Sequence, residues 1–122
     1  EYTFPDSLYN EFHEDIIEVG YGSGGYLQCV GFVVGVGGPA PSGSNADSYC
    51  NNSNLQTNWE DMREGAVIAT TAGPFGHVAV VVDVIDGYTL KLAEAMGHEG
   101  YVENRYITMP DVKDLYCGFI NP

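Results

Sequence analysis

The sequence predicts a single α+β domain, in which helical segments come first and antiparallel strands follow. Its 122 residues, 44% of them hydrophobic, are enough for one compact core and too few for two. Apolar residues recur at helical spacing near the start, and strand-like segments follow one another from Ala66 onward. The Asp86-Gly87 pair between two of these segments is a strong signal for a β-hairpin. We expect one domain over residues 1–122, which we take as a piece of a longer protein.

The helical signals lie in the first half of the chain. Residues 5–18, PDSLYNEFHEDIIE, predict an amphipathic helix, and the glycines from Gly20 to Gly25 predict a loop after it. The following stretch, LQCVGFVVGVG, is too continuously apolar for a surface helix. It is a buried helix or a buried strand, and its periodicity does not decide between them. Residues 37–54 are rich in turn formers and predict one helical turn at NADSYC.

The strand signals fill the second half. Alternating or continuously apolar segments with β-branched and aromatic residues are typical of strands. We predict them at AVIATT, HVAVVVDVI, YTLKLAEAM, YVENRYITM and LYCGFI.

The charge of the chain excludes some classes of partner. Only four Lys and Arg oppose 17 Asp and Glu, so the net charge is −13. Nucleic acids and anionic membranes are bound through clustered basic groups, which this chain lacks. A run of about 18 apolar residues, as a membrane span needs, is also missing from the sequence. The acidic surface otherwise fits an ordinary device for solubility.

Three cysteines, an odd number, suggest one bonded pair and one free thiol. Cys50 and Cys117 are the candidates for a disulfide, because one lies in a polar segment and the other close to the end of the chain. The alternative is that both are small buried thiols.

Cys29 is the candidate nucleophile. A thiolate is the reactive form of cysteine, and both a helix N-terminus and a neighbouring imidazolium stabilise it. If the apolar stretch is a helix, Cys29 lies in its first turn. The alternative is an inert core cysteine.

His77 and Glu94 are the candidate base and its orienting group. His77 opens the most hydrophobic strand, where a histidine is out of place unless it faces a groove, and Gly76 leaves room there for a ligand. Glu94 follows Leu90 and Leu92 on one side of the returning strand, so its carboxylate needs a partner. The alternatives are a structural histidine at a strand end and a glutamate that faces solvent.

Other kinds of site fit the sequence less well. GYGSGG matches a dinucleotide-binding pattern only formally, since no βαβ unit surrounds it. A metal site could be assembled only on paper, from His77, His98, Glu94, Glu99 and Asp83, because the spacing of metal-binding motifs is absent. The acidic residues near the N-terminus lack the spacing of a calcium-binding loop. We therefore predict neither a metal nor a cofactor.

The order of these motifs resembles the CHAP family of cysteine, histidine-dependent amidohydrolases and peptidases. The similarity runs from about Gly20 to Pro122, and its most specific parts are the Gln28-Cys29 pair and the strand GHVAVVVDV. It implies a papain-like α+β fold, with N-terminal helices packed on an antiparallel sheet and the nucleophile on a helix. It also implies that Cys29 is the nucleophile, His77 the base and then acid, and Glu94 the group that orients His77.

Further residues acquire roles from this resemblance. Gln28 is expected to stabilise the oxyanion together with the backbone N–H of Cys29, and Tyr26 and Phe75 to line the groove. Where many family members have Asn two residues after the glutamate, this chain has Met96. The loop before Cys29 lacks the acidic cluster with which some members bind calcium. Arg105 is expected to pair with one of the many carboxylates.

The implied activity is hydrolysis of bacterial peptidoglycan at an amide bond. The bond lies in the stem peptide or cross-bridge, or joins N-acetylmuramic acid to L-alanine. The enzyme would act outside the cell or in the cell envelope, as a secreted or phage-derived protein with additional targeting domains. The alternatives are a thiol amidase on another amide, such as glutathionylspermidine, and an inactive domain that binds cell wall or serves as a structural part.

The net charge of −13 leads to a first test, because many bacterial walls carry polyanionic polymers. We predict that salt added up to about 0.15 M, where the Debye length is about 8 Å, raises the activity on whole walls by screening this repulsion. The measurement is the rate of wall lysis as a function of salt concentration. Activity that falls steadily with salt would contradict this interpretation of the charge.

Overall fold

The computed structural model describes residues 29–35, 37–43, 45–96 and 101–122. The helix predicted over residues 5–18, the glycine-rich loop and two candidate site residues, Tyr26 and Gln28, lie outside these ranges. His98 and Glu99 also lie outside them.

The described part of the chain combines short helices with one antiparallel sheet, which confirms the predicted α+β class. The sheet has the strand order β4-β3-β2-β1-β5, and every neighbouring pair is antiparallel. Within the described ranges, no helix is long and apolar enough to cross a membrane. The elements in chain order are α1 (Cys29–Gly35), the 3₁₀ helices η1 (Ala46–Asn51) and η2 (Trp59–Asp61), β1 (Val67–Thr70), β2 (His77–Ile85), β3 (Thr89–Met96), β4 (Tyr101–Thr108), α2 (Met109–Leu115) and β5 (Gly118–Ile120).

The sequence left the apolar stretch open between helix and strand, and its described part, Cys29–Gly35, forms α1. Phe32 and Val33 are fully buried, whereas Val34 is 40% exposed. This is the pattern of a helix with one face against the sheet, since residues three and four apart share a face. Cys29 and Val30 are partly buried and pack against the same core cluster. The helix thereby fixes Cys29 next to the sheet.

The sheet is covered on both faces, so the core consists of two clusters. One cluster joins the sheet to α1 and η1 and includes Phe32, Tyr49 and Val80. The other joins it to η2 and α2 and includes Trp59, Leu92 and Val112. Strands buried on both faces read as continuous hydrophobic runs, as in HVAVVV of β2.

The hairpin predicted at Asp86-Gly87 is confirmed, and it connects β2 to β3. Both residues have positive φ, 50° at Asp86 and 75° at Gly87, as a type I′ turn requires. Ile85 pairs with Thr89 next to the turn. The pairing shifts between Val81 and Asp83, where β2 contains a β-bulge.

The strand predicted at LYCGFI is wrong in its first half. Leu115 ends α2, and the strand covers only Gly118–Ile120. The helical signals here are Pro110 at the start of α2 and the burial of Val112 on the side that faces the core. The backbone N–H of Tyr116 donates to the carbonyl of Val112 and closes the helix.

A disulfide joins η1 to the segment before β5. It links Cys50 and Cys117, whose Cα atoms are 5.9 Å apart and whose positions are separated by 67 residues in sequence. The backbone N–H of Cys117 also donates to the carbonyl of Ala69 in β1. The bond thus ties η1 to the sheet.

We predict that the double substitution Cys50→Ala/Cys117→Ala lowers the free energy of unfolding. For a loop of this length, the loss of the cross-link in the unfolded chain costs about 4 kcal/mol. The measurement is urea unfolding of both proteins, with and without reductant. Reductant should lower the midpoint of the wild type and leave that of the double variant unchanged. Equal midpoints for the oxidised and reduced wild type would show that the bond does not stabilise the protein.

Candidate active site

Cys29 and His77 meet where α1 crosses the start of β2. The thiol of Cys29 is half-buried, takes part in no disulfide and makes a hydrogen bond with the side chain of His77. Backbone groups of Val78 and Val30 also form hydrogen bonds with the sulfur. The sulfur is therefore held by one imidazole and by two backbone groups that favour a negative charge.

The backbone before His77 is held by a close approach of three chain segments. Gly76 has φ of 73°, and a Cβ atom at this position would lie 2.5 Å from the carbonyl oxygen of Thr70 and 2.6 Å from the backbone nitrogen of Asp47. Asp47 N–H donates to the carbonyl oxygen of Phe75 at 3.0 Å. The sequence interpretation that Gly76 leaves room for a ligand is wrong, because the backbone of η1 and β1 fills that space. Glycine is needed here so that the chain can turn His77 toward Cys29.

Glu94 on β3 binds the imidazole of His77. Its side chain is 3% exposed, and its Oε1 accepts a hydrogen bond of 2.7 Å from Nε2 of His77. Because Nε2 is bound in this way, Nδ1 is the ring nitrogen that remains for Cys29. The sequence placed Glu94 on the side of β3 that carries Leu90 and Leu92, both of which are buried.

Arg105 on β4 binds the same carboxylate. Its Nε donates to Oε2 of Glu94 at 2.6 Å, and its Nη2 lies 3.3 Å from Oε1. Nη2 also donates to the hydroxyl of Tyr116 at 3.1 Å. The sequence predicted that Arg105 would pair with an unspecified carboxylate, and it gave no role to Tyr116. Alternation on β4 is a usable signal, since Arg105 shares a side of that strand with the buried Ile107.

These contacts change the pKa values of all three candidate catalytic groups. Burial by itself would raise the pKa of the Cys29 thiol, but the hydrogen bond and charge of His77, together with two backbone hydrogen bonds, outweigh burial and lower it. Burial would lower the pKa of His77, but its bonds to Cys29 and Glu94 raise it to about 9. Burial would raise the pKa of Glu94, but His77 and Arg105 lower it to about 2. The contacts therefore stabilise the charged forms of all three groups, a thiolate, an imidazolium and a carboxylate.

Tyr49 closes the site from η1. It is fully buried, and its hydroxyl donates to the carbonyl oxygen of Pro39 at 2.5 Å. Burial and the negative charge of Cys29 both raise the pKa of Tyr49, so the phenol stays protonated and neutral. The polar end of Tyr49 is satisfied by the loop rather than by the thiol.

The structure brings some of the other predicted residues to the site and leaves others aside. Phe75 is adjacent to Gly76 and 62% exposed, so an aromatic surface lies in the open beside His77. Cys50 and Cys117 are consumed by their disulfide. The described part of the chain contains no group of three or more His, Cys, Asp or Glu residues able to hold a metal ion.

Residues 20–96, more than half of the chain, match the family model described as CHAP domain. The chain belongs to the CHAP family. The matched range of this CHAP domain includes Cys29, His77 and Glu94 and ends before Arg105 and Tyr116.

Solved structures also share the fold of this CHAP domain. They include Ly7917, with a TM-score of 0.57, 16% identity and coverage of 88% of this chain and 60% of that chain. Ly7917 with the hydrolyzing product of MDP has a TM-score of 0.53 and 21% identity, and the match covers 66% of this chain and 41% of that chain. An N-acetylmuramoyl-L-alanine amidase from Staphylococcus aureus has a TM-score of 0.56 and 21% identity, and the match covers 78% of this chain and 31% of that chain. This CHAP domain thus corresponds to between 31% and 60% of the length of these proteins. No curated protein sequence matches the chain.

We predict that Glu94→Gln lowers the pKa of His77 by about one to three units, because the imidazolium loses its anionic partner. The wild-type imidazole should titrate near pH 9. The measurement is an NMR titration of the histidine ring protons, assigned by comparison with His77→Ala. Glu60→Gln removes an exposed carboxylate from η2 and is the matched control, which should leave the titration of His77 in place. An unchanged pKa in Glu94→Gln would mean that the carboxylate does not act on the imidazole.

Proposed function

We propose that this CHAP domain hydrolyses an amide bond of bacterial peptidoglycan, with Cys29 as nucleophile, His77 as acid and base, and Glu94 as the group that orients His77. The observation that carries the proposal is the continuous chain of contacts from the Cys29 thiol through His77 to the buried Glu94 carboxylate. Nucleophile, base and orienting group joined in this order are typical of cysteine hydrolases.

The attack step follows from the charge state of the pair. The Cys29 sulfur attacks the carbonyl carbon as a thiolate and forms a C–S bond, and the carbonyl oxygen becomes an oxyanion. The backbone N–H of Cys29 and the side chain of Gln28 are the proposed donors to this oxyanion, each worth about 3 kcal/mol. Since His77 already holds the proton at neutral pH, no separate proton transfer has to precede the attack.

The proton then leaves from Nδ1 of His77. It passes to the amine as the C–N bond breaks, and the free amine departs from a thioester on Cys29. Neutral His77 next takes a proton from water, which attacks the thioester carbonyl and releases the carboxylic acid. The sulfur leaves as a thiolate and the imidazolium is restored, so the cycle consumes one water and balances.

The names of structural neighbours favour peptidoglycan as the substrate. One neighbour is an N-acetylmuramoyl-L-alanine amidase, and another was crystallised with the hydrolyzing product of MDP. We propose the N-acetylmuramoyl-L-alanine amide or an amide of the stem peptide or cross-bridge as the scissile bond. Phe75, exposed beside His77, and Tyr26 are the proposed contacts for the substrate.

Further parts of the proposal concern the fold type and the setting. A cysteine-bearing helix packed on an antiparallel sheet that carries the histidine supports a papain-like arrangement. We propose that the domain acts outside the cell or in the cell envelope, in a chain with further targeting domains. A purely structural or wall-binding role is less well supported, because Cys29 remains free while the other two cysteines form the disulfide.

We predict that the wild type releases fragments from purified peptidoglycan and that Cys29→Ala releases none, because the nucleophile is missing. The measurement is mass spectrometry of the soluble products, whose masses and new amino groups identify the bond. Circular dichroism of both proteins is the control for folding. If neither protein releases fragments while both are folded, peptidoglycan is not the substrate, and the amide of glutathionylspermidine is the next compound to test.

A further inference from the structure

We propose that Arg105, held in turn by Tyr116, is a positioning residue for the reaction, which fixes the Glu94 carboxylate against His77 and balances its charge. The inference rests on the proposed roles of Cys29, His77 and Glu94. It adds a fourth and a fifth residue, neither of which has to contact the substrate.

The first support is geometric. A carboxylate bound only through Oε1 could rotate about its terminal bond, whereas Glu94 is bound through both oxygens. Arg105 donates to Oε2 from Nε and to Oε1 from Nη2, so its planar guanidinium defines the plane of the carboxylate. Oε1 is thereby aimed at Nε2 of His77, and the imidazole is turned so that Nδ1 faces Cys29.

The elements of the fold that supply Arg105 and Tyr116 also support the proposal. Arg105 pairs with Leu92 on β3, one alternation away from the pair of Glu94 with Glu103. Such diagonal neighbours on one face of a sheet are within reach of a long side chain. Tyr116 follows α2 directly, is 8% exposed, and holds Nη2 of Arg105 from outside the sheet. The position of the guanidinium therefore depends on a strand and a helix end that belong to neither the nucleophile nor the base.

The third support is the balance of charge. The thiolate of Cys29, the imidazolium of His77, the carboxylate of Glu94 and the guanidinium of Arg105 sum to zero. Without Arg105, the half-buried cluster carries one net negative charge. Burial keeps the phenols of Tyr49 and Tyr116 protonated, so neither compensates for the loss. Glu103, whose backbone pairs opposite Glu94, is acidic and adds no positive charge.

Loss of the positive charge of Arg105 should shift the pH dependence of Cys29 and His77 in one direction. Every proton-binding group nearby holds its proton more tightly when a cation is removed. The thiol of Cys29 should therefore need a higher pH to ionise, and the imidazolium of His77 should also lose its proton at a higher pH. A bell-shaped activity profile would move to higher pH as a whole, with both limbs shifted in the same direction. A residue that merely stabilised the fold would lower the rate and leave both limbs in place.

The experiment follows alkylation of Cys29 by iodoacetamide as a function of pH, in non-reducing buffer. Cys29 is the only cysteine outside the disulfide, so the mass of the product identifies the site. The proteins are the wild type, Arg105→Met, Arg105→Lys and the control Lys91→Met. Lys91 pairs with Tyr106 beside the Leu92–Arg105 pair, so its substitution removes the same charge from the same part of the sheet without touching Glu94. Circular dichroism confirms folding, and Arg105→Gln, which keeps an amide donor but no charge, replaces Arg105→Met if that variant does not fold.

We expect the alkylation midpoint of Arg105→Met to rise by about one pH unit. Lys91→Met should superimpose on the wild type. Arg105→Lys keeps the charge but loses the planar guanidinium that binds both oxygens of Glu94. Its midpoint should therefore stay close to that of the wild type. Both Arg105 variants should lose about tenfold to a hundredfold in kcat/KM on peptidoglycan, since the imidazole is no longer held in place.

An alkylation midpoint equal to that of the wild type in Arg105→Met, or in Arg105→Gln where it replaces Arg105→Met, would overturn the proposal. A shift of the same size in Lys91→Met would also overturn it, because the effect would then be one of overall charge. Alkylation needs no peptidoglycan and tests the site without the substrate. If the wild type digests no wall while the Arg105 midpoints shift as expected, the substrate assignment fails and the positioning role stands.

Discussion

The buried carboxylate of Glu94 is the constraint on which the rest of the site depends. An ionised carboxylate taken out of water is strongly destabilising unless it is paired and hydrogen-bonded. Glu94 meets this requirement only because β2 supplies His77 on one side and β4 supplies Arg105 on the other. The register of three adjacent strands is therefore tied to the chemistry of one side chain. A slip by one residue would place these groups on opposite faces.

The segment before His77 connects this arrangement to Cys29, the proposed nucleophile. Gly76 passes so close to the backbones of β1 and η1 that no side chain fits there. The same η1 is bonded through Cys50 to Cys117 and buries Tyr49 next to Cys29. The disulfide lies outside the reaction, yet it belongs to the structure that holds the histidine. Packing of η1 thus links a covalent bond beside the core to the orientation of the imidazole.

Because the chain is strongly acidic, it has few basic side chains that can pair with its carboxylates. Of four Lys and Arg residues in the chain, Arg105 is committed to an internal carboxylate. Its side chain is 42% exposed, so solvent screens part of its attraction to Glu94, whose side chain is 3% exposed. As proposed above, we assign to the pair a role in orienting and balancing the site more than in adding stability. In the described ranges, acidic side chains such as Glu60, Asp61 and Asp111 are exposed, so their charge acts on charged molecules that approach the surface.

The sequence by itself determined the order of the strands in the chain, the hairpin at Asp86-Gly87, the side of β3 on which Glu94 lies and the candidates Cys29 and His77. These features depend on local periodicity and turn chemistry, which a linear pattern contains. The tertiary structure alone decided that CVGFVVG forms α1, that α2 replaces half of a predicted strand, and that Gly76 serves backbone packing. Only the tertiary structure showed that Glu94 is the partner of Arg105 and that Tyr116 binds the same guanidinium. Such choices depend on contacts between residues far apart in sequence, and periodicity carries no information about which distant segments meet.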